Sequence, residues 1–152
     1  MNLTVDFDNA SSATLLPSLD DFERWVSATL VSHRHEAELS IRVVDEDESA
    51  NLNLQFRMKA GPTNVLSFPA DLPPELGIPL LGDLVICAPV VEREAGEQGK
   101  SRQAHWAHMV VHGTLHLIGY DHIDEGEAEQ MEALEIDILH SLNYPNPYVP
   151  AE

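Results

Sequence analysis

Residues 102–122 read "RQAHWAHMVVHGTLHLIGYDH", a run in which apolar residues and histidines share one helical pattern. The spacing predicts a long apolar helix from about 102 to 118. His105, His108, His112 and His116 fall at helical intervals along it. His112 and His116, four residues apart, put two imidazoles on one face, one turn above the other. Gly119 is suited to ending the helix in the left-handed conformation and turning the chain back, and His122 follows that turn.

Outward from this helix, the remaining elements follow from periodicity and breakers. "LLGDLVICA" (80–88) predicts an apolar strand interrupted by Gly82 and Asp83, and Pro89 opens a helix weakened by Gly96 and Gly99. "TNVLSFP" (63–69) is a strand closed by Pro69, and Ala70 to Pro79, with three prolines and a glycine, is a surface loop. In "DESANLNLQFRMK" (47–59) Asp47 serves as N-cap, Leu52 and Phe56 share a face, and a short helix ends near Arg57. Leu39, Ile41 and Val43 alternate with Ser40 and Arg42 in a half-buried strand. Leu19, Phe22, Val26 and Leu30 recur at three and four, predicting an amphipathic helix over roughly 17–33 with Pro17 near its start. Residues 2–7 alternate weakly as a first strand. Beyond the histidines, Asp124 caps a last helix to about 142, with Met131, Leu134 and Ile138 inward, and "NYPNPYVPAE" is an extended tail. Strands and helices mix without strict alternation. The expected class is α+β (mixed), a small mixed sheet flanked by helices, in one domain spanning 1–152.

Composition narrows the function. The chain has 152 residues, with 26 Asp and Glu against 8 Lys and Arg, for a formal net charge of -18. Such a field repels polyanions at long range, so a nucleic-acid substrate requires a local cationic patch or a partner. Much of the acidity falls in "VDEDES" and "DEGEAEQMEALEID", where solvated helix starts and faces account for it. The single Cys87 lies in an apolar run and reads as a buried, inert thiol. Neither a signal peptide nor a run of about 20 apolar residues is present, which predicts a soluble, cytoplasmic protein without a membrane span.

The histidines carry the chemistry. H-x-x-x-H-x-x-G-x-x-H is the ligand spacing of metzincin zinc proteases, in which two ligands sit on a helix and a third arrives after a glycine turn. His108 and His116 stand about 12 Å apart along a helix axis and do not close on one ion. His112, His116 and His122 are therefore the favoured trio, with an open position for water; His105 and His108 are packing or outer residues, and Asp121 either orients an imidazole or is a turn aspartate. The alternative is a pair of hydrogen-bonded core histidines and a loop histidine. Gly113 replaces the glutamate that serves such proteases as general base, which weakens peptide hydrolysis. A phosphodiester instead calls for a fixed cation, and Arg57 with Lys59, just before "PTNVLSFP", form the one cluster on offer, unless they are merely solvated charges at a helix C-terminus.

"RMKAGPTNVLSFP", "LLGDLVICAPVVEREAGEQGK" and "HWAHMVVHGTLHLIGYDH" resemble the YbeY family of bacterial single-strand-specific metallo-endoribonucleases, from about Ile41 through Tyr148. The resemblance implies a compact metallohydrolase-like fold, a Zn2+ ion bound by His112, His116 and His122, and Arg57 and His112 as catalytic residues. It further implies 3′-end maturation of small-subunit (16S) ribosomal RNA and ribosome quality control. The implied partners are single-stranded rRNA, the small ribosomal subunit with one of its proteins, and an Era-type GTPase; no DNA is expected. Met58 and Ala60 depart from the "RGKD" of many members, which bears on how the Arg57 loop flexes and meets RNA. Two other functions stay open at this point: a metal-dependent hydrolase of a non-RNA ester, amide or peptide, and a ribosome assembly factor whose zinc is structural. Water and the RNA 2′-hydroxyl are equally open as nucleophile.

Overall fold

Ala37, Leu39, Ile41 and Val43 alternate along one strand and are all buried, at 2% exposure or less, so this strand belongs at the centre of a sheet with a covered face. The computed structural model describes residues 1–121 and 123–149, apart from the side chain of Pro74. In chain order the elements are β1 (Asn2–Asn9), α1 (Leu19–Leu30), β2 (Glu36–Val44), α2 (Glu46–Arg57), β3 (Val65–Pro69), a 3-10 turn at Pro74–Leu76, β4 (Leu80–Cys87), α3 (Ala88–Glu97), α4 (Arg102–Leu117) and α5 (Glu125–Ser141). The sheet order is β1-β2-β4-β3. β1, β2 and β4 run parallel and β3 is antiparallel to β4. A mixed four-stranded sheet with five helices is the α+β architecture expected from the sequence.

Each face of the sheet has its own core. One side joins Leu39, Ile41, Val65, Leu84 and Ile86 to Phe22, Trp25, Trp106, Leu115, Met131 and Leu139. The other, smaller, packs Val44, Leu66, Val85, Cys87 and Val90 with Leu52 and Phe68. α4 lies at the middle of the larger core, touching α1, α3, α5, β3 and β4. Its burial on nearly every side explains why its sequence is apolar all round rather than striped. Cys87, the one cysteine, is buried at the N-cap of α3, and burial pushes its thiol above the ordinary value.

Four local expectations are corrected. Asp47 does not cap α2: the N-cap is Asp45, because β2 passes to α2 through that single residue. The Asp45 carboxylate instead accepts from the Ser12 N–H at 2.9 Å and from its hydroxyl. Gly82 does not interrupt β4. Its φ of +141° lets the backbone press against β3, where a Cβ would stand 2.2 Å from the Phe68 carbonyl oxygen, and the register to β2 shifts beside it. Gly99 ends α3 rather than weakening it: at φ +65° it returns the Lys100 N–H to the Ala95 carbonyl at 2.9 Å. α1 is shorter than 17–33 because a reciprocal capping box of Ser18 and Asp21 fixes its start, leaving Pro17 outside.

Candidate active site

α4 delivers the two helical histidines as the spacing requires. His112 Nε2 and His116 Nε2 face each other at 3.2 Å, with ring centroids 4.6 Å apart and planes at 80°. Both rings are half-buried. Between them Gly113 points at the sheet, where a Cβ would meet Leu84 Cδ2 at 2.9 Å and Val65 Cγ2 at 3.1 Å. The Ser67 hydroxyl donates to the Gly113 carbonyl at 3.0 Å and closes this contact. The position that carries a general base in metzincins therefore faces packed side chains here, away from the site.

The orientation of His112 depends on a residue that the sequence alone places among solvated acids. Glu135 of α5 is 1% exposed. Its Oε1 lies 3.0 Å from His112 Nδ1 and 2.9 Å from His108 Nε2, and the Tyr148 hydroxyl donates to it, 2.8 Å from Oε2. Burial alone would raise this carboxyl, but the hydrogen bonds and charges of His108 and His112 outweigh it and hold the pKa at about 2. An ionised carboxylate only accepts, so Nδ1 of His112 carries the proton and Nε2 turns its lone pair toward His116. The available signal was the spacing of Met131, Glu135 and Leu139: a glutamate on a four-residue stripe of buried apolar positions. Tyr148 also shows that the proline-rich tail folds back over α4 and α5. Further along α4, His105 is 2% exposed and pairs with Glu94 at 2.9 Å; burial depresses its pKa in spite of that carboxylate.

The two Nε2 atoms open onto a cavity of about 570 Å³ whose lining includes Arg57, Asn64, Ser67, His112, His116 and Asp121. Arg57 enters from the last residue of α2, which packs on the opposite face of the sheet. The turn after it is built for this: Met58 adopts φ +58°, the Asn53 amide donates to Gly61 O at 2.9 Å, and Ser49 exchanges two hydrogen bonds with Thr63 at 3.0 Å. That strapped loop carries the chain round the edge of β3. Arg57 makes no ion pair with a carboxylate among the described residues and stays available to an anion. Lys59, expected beside it, does not line the cavity. His122 lies outside the described residues, and among the described residues no group of three His, Cys, Asp or Glu is placed to hold a metal ion. His112 and His116 bring two ring nitrogens to within 3.2 Å of each other at this cavity.

The overall fold is similar to the solution structure of TM1509 from Thermotoga maritima, with a TM-score of 0.60 over 92% of each chain and 24% identity. That likeness carries the fold alone. Residues 7–143 match the family described as endoribonuclease YbeY. This match takes in β2 through α5, with Arg57, both helical histidines and Glu135, and it makes RNA the substrate class: the chain belongs to the YbeY endoribonuclease family.

Proposed function

We propose that residues 1–152 form one catalytic domain, a zinc-dependent endoribonuclease that cuts single-stranded ribosomal RNA in 3′-end maturation of the small-subunit RNA and in ribosome quality control. The observation that carries this reading is the facing pair of Nε2 atoms at 3.2 Å, with Glu135 fixing the tautomer of His112, on a cavity that Arg57 enters. Two nitrogen ligands of a tetrahedral zinc at about 2.0–2.1 Å stand roughly 3.3 Å apart, so the donor pair fits the ion. His112 and His116 would hold it together with His122.

When bound, the ion supplies a fixed positive charge and acidifies a water at the point of cleavage. Arg57 pairs with the equatorial phosphate oxygens, where charge grows as the phosphorus is attacked. Glu135 keeps the His112 ring in one orientation. The fixed cation at Arg57 suits a phosphodiester better than a peptide, and Gly113 leaves no base in the protease position. With a net charge of -18, free RNA is held weakly, so delivery falls to the small ribosomal subunit, one of its proteins and an Era-type GTPase. DNA is not expected as substrate and the site of action is the cytoplasm; no described helix is long and apolar enough to cross a membrane.

The test is cleavage of an end-labelled RNA carrying the small-subunit 3′ precursor end by the native protein, Arg57→Ala and His116→Ala, with and without chelator. Each variant is expected to lose about 100-fold or more, and the chelator to abolish cutting. Equal cutting in every lane would refute the reading.

A further inference from the structure

A second cavity of about 610 Å³ adjoins the first through Asn64, which lines both. Each has the volume of a site for one or two nucleotides rather than a surface dimple. Its walls include Lys100, Gln98, His105, His108 and the ring of Tyr148. Lys100 is half-buried and makes no ion pair among the described residues, whereas the other seven basic side chains of this acidic protein are exposed or committed to carboxylates. The Gly99 turn fixes its backbone, the Lys100 N–H donating to the Ala95 carbonyl at 2.9 Å.

Three carboxylates stand at this cavity, and each has a partner: Glu135 bonds His108 and Tyr148. Glu94 accepts from the Asn64 amide at 3.1 Å and from His105 at 2.9 Å, and Glu97 faces Arg93 at 3.9 Å. Lys100 is the cationic group that the described lining offers to an incoming phosphate, set against the charges of Glu94 and Glu97. Tyr148 is 45% exposed and stands edge-on to His108 at 5.4 Å, which leaves part of its ring open to a base.

Resting on the reading of the first cavity as the cleavage site, we propose that the second cavity binds the neighbouring nucleotide of the same RNA strand, with Lys100 on its phosphate and the Tyr148 ring against its base. The strand then runs past Asn64 from one cavity to the other. Two contiguous subsites let an acidic enzyme hold a single strand by shape and stacking as well as by charge, and they exclude a duplex, whose bases are not free to enter.

The experiment is fluorescence anisotropy of the intact protein with 5′-labelled 2′-O-methyl oligouridylates of two to six nucleotides at low salt, each run on a gel afterwards to establish that it is uncut. Affinity should rise by about tenfold at the length that reaches the second cavity. Lys100→Gln should abolish that step and flatten the salt dependence by about 0.7 in log–log slope, the share of one phosphate contact in a single strand. Lys100→Arg should keep both, and an unchanged thermal transition in each variant establishes that folding is intact. A step of the same size and slope in Lys100→Gln, or no binding at any length, would overturn the proposal. Equal cutting of an unmodified hexamer by the native protein and Arg57→Ala would overturn the first cavity's reading while leaving the length step in place.

Discussion

Gly113 of α4 and Leu84 of β4 approach so closely that a Cβ on residue 113 would lie 2.9 Å from Leu84 Cδ2. Leu84 is fully buried and its side chain has nowhere to withdraw. The same contact brings the His112–His116 pair flush with β3 and so shapes the floor of the cavity that both histidines line. Restoring the protease glutamate by Gly113→Glu would drive a charged side chain into this packing. A loss of about 3 kcal/mol or more in urea unfolding is expected, with no gain of peptidase activity on casein.

Glu135 acts on His112 through a single hydrogen bond at 3.0 Å. Glu135→Gln keeps the volume but can turn an N–H toward Nδ1, which frees the ring to adopt the other tautomer. Zinc affinity, measured by competition with a chromogenic chelator, should fall by about 10–100-fold. Unchanged affinity would mean that Glu135 only fills space.

Met58 holds φ +58° with 86% of its surface exposed, so it has backbone strain and almost no side-chain contact to set against it. Met58→Gly should raise stability by about 0.5–1 kcal/mol, moving the urea midpoint up at constant slope. RNA cutting by the variant should stay within about twofold, since Arg57 keeps its place on α2.

Glu92 bridges α3 and α4: Arg102 hydrogen-bonds to it at 2.7 Å, the Trp106 indole N–H donates at 3.2 Å, and Arg102 also reaches Leu15 O at 2.8 Å. The Arg102 hydrogen bond, ahead of the opposing effect of burial, holds this carboxyl below its ordinary value of 4.5. A depressed carboxylate contributes its stability above the unfolded-state value and loses it as pH falls through the folded one. Glu92→Gln should therefore be less stable than the native protein by up to about 1 kcal/mol at neutral pH, and the two unfolding curves should converge in acid below 4.5. A gap that persists in acid would assign the effect to packing.

What was legible in the sequence is what periodicity encodes. α4, the His112–His116 face and the turn at Gly119 follow from intervals of four and a glycine, and β2 follows from strict alternation. Glu135 is hidden in the sequence because acidic residues are interleaved with apolar ones along α5, and a buried charge there is visible only once His108, His112 and Tyr148 surround it. The Asp45 cap is missed and Gly82 misread for a related reason. Their roles depend on a partner distant in sequence, Ser12 for one and Phe68 for the other. Arg57 could be nominated from composition, but its route round β3 is a property of the sheet order.

Cys87 offers a reporter that the fold has already installed. It is the sole sulfhydryl, sealed where β4 hands over to α3 in the smaller core. A disulfide reagent can reach it only when that junction opens, so the rate of thiol modification counts openings of the sheet's second face. No label need be introduced. RNA or zinc bound in the first cavity, on the other face, would slow that rate only to the extent that the two faces open together.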